Sequence, residues 1–167
     1  MRERVVCNAS PLIFLAKLQK LKLLDSYNLC IPSQVETEII KGLKHKRENA
    51  TLIIEYLKSH KIESVRAPLL KDLPQFIGPG EKAVISFAVK ENIKGVLIDE
   101  AKARTVARFK GLKPKGTLGI LWDAYKVEEI DRETAELLSF DLIQKGYRIK
   151  EEIFVEFLRR LKRGAGK

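Results

Sequence analysis

Cysteine and histidine are scarce in this chain, which has two of each among its 167 residues. Cys7 and Cys30 lie in separate apolar stretches, and neither forms a CxxC pair or has a histidine at the spacing of a zinc site. We therefore expect two buried free thiols, with a disulfide as the less favoured alternative. His45 and His60 have no partner at ligand spacing, so the sequence assigns neither of them to catalysis.

Long apolar runs and nucleotide-binding glycine patterns are missing as well. No apolar run approaches the roughly 20 residues that a bilayer-spanning helix needs, and no charged-then-apolar leader opens the sequence. Neither GxGxxG nor GxxxxGKS or GxxxxGKT occurs, which argues against dinucleotide and nucleoside-triphosphate binding. These absences favour a soluble, cytoplasmic protein that has no membrane partner.

Positive charge, in contrast, is in excess. Lysine and arginine number 32 against 22 acidic residues, which gives a formal net charge of +10. On a chain of this size such an excess favours a polyanionic partner, with nucleic acid first. Lys/Glu-rich surfaces also occur in thermophilic proteins for reasons of stability, and that alternative stays open.

Short apolar runs alternate with helical periodicity along the chain. Strand-like runs lie at 3–7, 29–31 and 95–98, with weaker candidates at 61–66 and 112–115. Apolar residues recur at helical spacing between and after these runs. Strands separated by helices predict βα units, and hence an α/β fold with a mainly parallel sheet covered by helices on both faces.

The C-terminal part is predicted to be helical. One helix is expected from Asp131 to about Gln144, where Gly146 stops it, and another from about residue 150. The 45% of hydrophobic residues suffice for one buried core. We expect a single domain over 1–167, with a core over about 1–128, C-terminal helices over about 129–163 and a tail at 164–167.

Polar residues stand at the predicted strand ends and helix starts. Because the carboxyl ends of parallel strands meet at one edge of a sheet, such residues can converge there. The candidates are Asn8, Glu38, Glu81, Asp99, Glu100 and Thr117. Carboxylate and amide oxygens suit Mg²⁺ or Mn²⁺, and a metal pocket on a basic protein is what metal-assisted cleavage of a phosphodiester requires.

Each of these residues also has a purely structural explanation. Ser10 followed by Pro11 is ordinary helix-start chemistry, with Ser10 as the N-cap. Asp99 is an acceptable N-cap for a helix over 100–110, and Glu81 in a first helical turn complements the helix dipole. Only the convergence of the group favours a functional site over these explanations.

Five ordered motifs over residues 4–121 carry a family resemblance. They are Asn8-x-Ser10-Pro11-Leu12-Ile13-x-Leu15-Ala16-Lys17, Ile31-Pro32-x-x-Val35-x-x-Glu38, Gly80-Glu81-x-x-Val84-Ile85, Leu97-Ile98-Asp99-Glu100 with Ala103-Arg104, and Gly116 to Leu121. With these motifs the chain resembles the PIN-domain family, and more narrowly a largely prokaryotic subgroup of PIN-like predicted nucleic-acid-binding proteins.

The resemblance implies a three-layer α/β/α sandwich and a Mg²⁺- or Mn²⁺-dependent endoribonuclease. Many such relatives are toxins of toxin–antitoxin pairs that act as dimers, so RNA, an antitoxin-like protein and a second copy of the chain are the implied partners. Carried over residue by residue, the catalytic positions fall on Asn8, Glu38, Glu81 and Asp99, and the metal positions on these four with Glu100.

Several residues near those positions are candidates for substrate binding. Lys102, Arg104 and Arg108 follow Asp99 on one predicted helix and are placed to contact phosphates, although a solvated helix face explains them as well. Ser10 and Thr117 complete the set of substrate-binding candidates. The basic run at 41–49 is interpreted either as a polar helix end or as a loop that contacts the nucleic-acid backbone.

Asn8 departs from the family pattern, in which active enzymes have an aspartate at this position. An asparagine offers one neutral carbonyl oxygen, so the pocket loses a full negative charge and metal affinity should fall. One-metal hydrolysis stays open with the remaining acids. The alternative is a catalytically impaired PIN-like module that binds RNA or a protein partner without cleavage.

Overall fold

The computed structural model describes residues 2–45 and 48–164. Two residues of the basic run, Lys46 and Arg47, lie outside the described residues, as does the end of the tail at 165–167. The chain forms two compact units, one that extends to Thr117 and one that begins at Leu118. The prediction of a single domain stays a prediction.

The first unit contains a five-stranded sheet in the order β3-β2-β1-β4-β5. The strands are β1 (Glu3–Cys7), β2 (Tyr27–Pro32), β3 (Ser64–Val65), β4 (Gly95–Leu97) and β5 (Lys113–Lys115). All neighbouring pairs are parallel, and Val5 in the central strand is in register with Leu29 on one side and Gly95 on the other. The predicted parallel sheet is confirmed.

Helices connect these strands. They are α1 (Ala9–Lys17), a 3₁₀ helix (Leu21–Ser26), α2 (Ser33–Lys44), α3 (Glu48–Ser59), α4 (Pro79–Lys90), α5 (Ala101–Phe109) and α6, which starts at Thr117. Parallel strands are connected by right-handed crossovers, so the direction of each step across the sheet decides which face its helix covers. The steps from β1 to β3 run one way and those from β3 to β5 the other, which produces the α/β/α sandwich.

The central strand explains why the sheet is covered on both faces. Val5, Val6 and Cys7 are all buried, although alternate side chains point to opposite faces. Val6 is in register with Cys30, so the neighbouring Cys7 faces the other side of the sheet from Cys30. Both thiols are free and buried, as predicted. Burial, with a smaller contribution from the Asp99 carboxylate, holds the pKa of the Cys7 thiol well above its usual range.

The second unit is helical, as the sequence predicts. It contains the rest of α6, which ends at Lys126, together with α7 (Arg132–Gln144) and α8 (Glu151–Arg163). Asp131 caps α7 by accepting a hydrogen bond from Thr134 N at 2.7 Å, and Gly146 follows the helix with φ at +98°. Within the described ranges, no helix combines the length and apolar character needed to cross a membrane.

Candidate functional site

The candidate site lies where the direction of the chain across the sheet reverses. β1 and β4 are neighbours, but the helices that follow them lead to strands on opposite sides, so a crevice opens beyond their carboxyl ends. Asn8 comes directly after β1, and its N–H donates to Leu97 O at 2.9 Å. Asp99 follows β4 by two residues. The fold therefore brings Asn8 and Asp99 to the same edge, as expected from the sequence.

Asp99 is held in place by three hydrogen bonds from the start of two other helices. Ser10 Oγ donates to Asp99 Oδ2 at 2.7 Å, Thr117 N to Oδ1 at 2.6 Å, and Thr117 Oγ1 to Oδ2 at 2.8 Å. Hydrogen bonds to an ionised carboxylate are among the stronger ones in proteins. Ser10 and Thr117, both predicted to bind substrate, thus contact Asp99 in this structure and fix its orientation.

Two of the structural explanations offered by the sequence are wrong. Ser10 is not the N-cap of α1, because the helix begins at Ala9 and Asn8 occupies the N-cap position without a side-chain cap bond. Asp99 does not cap α5 either. Glu100 does so by accepting a hydrogen bond from Ala103 N at 2.8 Å. Because Glu100 takes the capping role, the Asp99 carboxylate accepts hydrogen bonds from Ser10 and Thr117 instead of from the start of α5.

Asn8 carries an unsatisfied buried oxygen. The residue is 5% exposed, and within the described residues its Oδ1 is the buried side-chain atom that lacks a hydrogen-bond partner. A buried carbonyl oxygen without a donor is costly, so such an atom calls for an explanation. Coordination of a divalent cation is an explanation that suits an amide oxygen.

Gly80 shows which groups surround that oxygen. A Cβ built on Gly80, in the first turn of α4, would lie 2.8 Å from Asn8 Oδ1 and 3.2 Å from Glu38 Oε2. The bare backbone of Gly80 therefore lets the Asn8 amide and the Glu38 carboxylate approach the start of α4 together. The sequence Gly78-Pro79-Gly80 is a signal for this contact, but Gly80 was not predicted as a site residue.

Glu38 and Glu81 are close enough to repel each other. Partial burial of its carboxyl group raises the pKa of Glu38, the nearby Glu81 carboxylate raises it further, and Lys41 acts in the opposite direction. Glu81 itself lies in the first turn of α4 and reaches back over Gly78. Two like charges beside an unpaired amide oxygen form a set that a divalent cation would stabilise.

The donor set fits one hard cation better than two. Among the described residues, no three or more His, Cys, Asp or Glu side chains form a group that could hold a metal ion. What the crevice offers is the Asn8 amide oxygen and the Glu38 and Glu81 carboxylates, with Asp99 already bound by Ser10 and Thr117. Mg²⁺ and Mn²⁺ accept such oxygen sets and complete their coordination with water.

The three basic candidates on α5 have different surroundings in the structure. Arg104 Nη1 donates to the carbonyl oxygens of Ile98, at 3.4 Å, and of Asp99, so its guanidinium is bound to the end of β4. Arg108 is exposed. Lys102 Nζ lies 5.9 Å from the centre of the Phe76 ring, which places an aromatic residue that sequence reasoning missed next to a predicted phosphate contact.

A family model described as "DUF3368: PIN domain" matches residues 4–163. No curated protein and no solved structure matches the chain.

Proposed function

Because the chain belongs to the PIN-domain family, whose members are generally nucleases that use divalent metal ions, we propose that it is a Mg²⁺- or Mn²⁺-dependent endoribonuclease. The observation that carries the proposal is the unpaired, buried Asn8 oxygen beside the Glu38 carboxylate. The formal charge of +10 supports a polyanionic substrate.

The chain's own residues have distinct roles in this proposal. Asn8, Glu38 and Glu81 would hold the cation, and a bound divalent ion supplies an activated water and neutralises charge on the phosphate. Asp99 keeps one fixed orientation because Ser10 and Thr117 donate to its carboxylate. Arg104 fixes the backbone that carries Asp99, and it therefore acts as a positioning residue.

The test is cleavage of an RNA oligonucleotide in Mn²⁺ by four proteins purified identically. We expect Glu38→Gln and Asp99→Asn to lower the rate at least about 100-fold relative to the wild type, in line with the loss of an electrostatic contribution to a transition state. Asn8→Asp should raise both activity and Mn²⁺ affinity. Equal residual activity in all four proteins would identify a contaminating nuclease and defeat the proposal.

A second candidate function, binding without cleavage, is favoured by the neutral Asn8 and by the lack of a three-acid group among the described residues. In that case the chain binds RNA or a protein partner through its basic surface. RNA binding that persists in EDTA, together with no Mn²⁺-induced change in Tm, would favour this function over the first.

RNA is the substrate in the first function and one of two candidate partners in the second. From the family resemblance we also propose an antitoxin-like protein and a second copy of the chain as partners, and a role as the toxin of such a pair. A small neighbouring reading frame whose product co-purifies with the chain and suppresses its activity would support this. Growth that is unaffected by overproduction of the active protein would contradict it.

A further inference from the structure

Phe76 is an aromatic side chain held out in solvent. It is 64% exposed, although it lies between two buried residues, Leu73 and Ile77, in the segment that leads to α4. The exposed ring leaves a face on which a flat aromatic group could stack. Leu73 and Ile77 pack into the apolar interior, whereas the Phe76 side chain points away from it.

The segment around Phe76 is fixed at several points. Leu70 N donates to Ser86 Oγ at 2.8 Å, and Lys90 Nζ donates to Pro68 O at 2.8 Å, which bind the segment to α4. Asp72 forms an ion pair with Lys110 at the end of α5. The segment therefore presents Phe76 from a largely fixed backbone, which lowers the entropic cost of any contact that its ring makes.

Phe76 and Lys102 lie near residues of the candidate site along the chain. It precedes Gly78 by two residues and Glu81 by five, while Lys102, whose Nζ is 5.9 Å from the ring centre, follows Asp99 by three residues in the first turn of α5. An exposed ring and an exposed lysine thus stand side by side, one on the segment that leads to Glu81 and the other on the helix that follows Asp99.

We propose that Phe76 and Lys102 form a subsite for one nucleotide of single-stranded RNA, with the base stacked on the Phe76 ring and a neighbouring phosphate bound by Lys102. The inference rests on the proposed function and names its substrate class. Bases stack on aromatic side chains whatever their identity, and lysines supply the phosphate contact. A paired base is covered by its neighbours in the duplex, so the subsite selects unpaired RNA.

The test is RNA binding in EDTA, where no cleavage takes place, to a short single-stranded oligonucleotide. Phe76→Ala should weaken binding about 5- to 50-fold, as expected for the loss of one stacked base, and Phe76→Trp should restore it. Phe109→Ala is the matched control, because Phe109 is 87% exposed at the other end of α5. All variants should keep the wild-type Tm, since these side chains are exposed.

Oligonucleotides with a single abasic position separate stacking from other effects. One abasic position should weaken binding to the wild type and leave binding to Phe76→Ala unchanged. A structural role of Phe76 would not produce that position-dependent coupling.

Lys102→Gln tests the phosphate contact. It should reduce the slope of log K against log salt by about 0.7, the value for one phosphate on a single strand. Lys58→Gln, at an exposed lysine in the last turn of α3, should leave the slope unchanged. Phe76→Ala should lower affinity at every salt concentration with the same slope as the wild type.

The outcomes separate this inference from the proposed function. Cleavage by the wild type together with unchanged binding of Phe76→Ala overturns the subsite and leaves the nuclease standing. Phe76-dependent binding without cleavage in Mn²⁺ supports the subsite and overturns the nuclease. Equal affinity for double-stranded and single-stranded RNA, or no RNA binding by the wild type, overturns the subsite.

Discussion

Gly80 controls the candidate metal site through the side chain that it lacks. A Cβ atom on Gly80 would lie 2.8 Å from Asn8 Oδ1 and 3.2 Å from Glu38 Oε2. Alanine is a better helix former than glycine, so the substitution favours α4 by itself. The contact with Asn8 is shorter than packed atoms tolerate, so the Asn8 amide has to move.

We predict that Gly80→Ala abolishes Mn²⁺ binding while the protein remains folded. At Mn²⁺ ten times above its Kd, the wild type should gain about 1.4 kcal/mol, or about 3 °C in Tm, by mass action. The variant should show no shift, because the displaced Asn8 oxygen no longer reaches the cation. Thermal unfolding with Mn²⁺ and with EDTA measures both values.

The control for this prediction is the double variant with Asn8→Ala. If the Gly80 methyl acts by displacing the amide, Gly80→Ala should change the Tm in EDTA less in the Asn8→Ala background than in the wild type. A full Mn²⁺ shift in Gly80→Ala would show that the Asn8 oxygen is not a ligand.

Single residues also mark the limit of what the sequence could predict. Asn8 and Asp99 were located correctly at one edge because strand ends of a parallel sheet converge. The sequence did not predict the hydrogen bond from the Ser10 hydroxyl to Asp99, because the two residues are 89 positions apart in the chain. Local rules can describe a cap such as that of Glu100 on α5, whereas the contact of Ser10 with Asp99 exists only because the fold brings the two residues together.

At the level of secondary-structure elements, the sequence predicts the position of all five strands. It bounds β1, β4 and β5 to within one residue but not β2 or β3. β1 begins and ends as predicted at 3–7, where two exposed charged residues lead into the buried apolar run at 5–7. β3 has two residues instead of the predicted six, and β5 has the sequence Lys-Pro-Lys. Such strands form because a neighbour supplies hydrogen-bond partners, here β2 and β4, and that information is absent from their own residues.

A polar cluster that the sequence did not reveal joins α3 to the 3₁₀ helix. Tyr56 Oη donates to Asp25 Oδ1 at 2.6 Å, and His60 Nε2 lies 3.0 Å from the same oxygen. The Tyr56 and His60 rings stack with centres 3.9 Å apart. Burial, followed by the hydrogen bond and charge of Asp25, raises the pKa of Tyr56 well above its usual range.

We predict that Tyr56→Phe lowers the free energy of unfolding by about 1 kcal/mol near pH 7, the typical net value of one hydrogen bond. Because the folded state raises the pKa of Tyr56, the stabilisation is present below the unfolded pKa of about 10 and is lost as the pH rises above it. The unfolding free energies of wild type and variant should therefore converge above about pH 10. Urea unfolding from pH 7 to 11 measures this.

Tyr125→Phe is the matched control, since the structure gives the Tyr125 hydroxyl no hydrogen bond among the described residues. It should change stability little at either pH. A Tyr56→Phe difference that stays constant or grows up to pH 11 would contradict the neutral, hydrogen-bonded state of Tyr56.

On the scale of the whole molecule, a small acidic crevice is carried by a strongly basic chain. The site residues from Asn8 to Thr117 all belong to the first compact unit, while the net charge of +10 belongs to the chain as a whole. A polyanion is therefore attracted by the molecule and repelled locally by Glu38 and Glu81 unless a cation is present. RNA affinity therefore depends on the basic surface, whereas metal affinity depends on the crevice, and a substitution can change one without the other.

The last prediction follows from that division. In EDTA, log K for a single-stranded RNA should fall linearly with log salt with a slope of about −2 to −4, as for three to six neutralised phosphates. Glu38→Gln should strengthen binding in EDTA, because it removes one repelling charge from the crevice, and should leave that slope nearly unchanged. With Mn²⁺ present, the wild type should gain more affinity than Glu38→Gln. The reason is that only the intact pair, Glu38 and Glu81, holds the cation that neutralises the two carboxylates. Filter binding of a cleavage-resistant RNA analogue over a salt series, with and without Mn²⁺, measures all four combinations. A slope near zero would show that the basic surface does not bind the RNA backbone, whereas an equal Mn²⁺ effect in both proteins would place the cation on the RNA and away from the crevice.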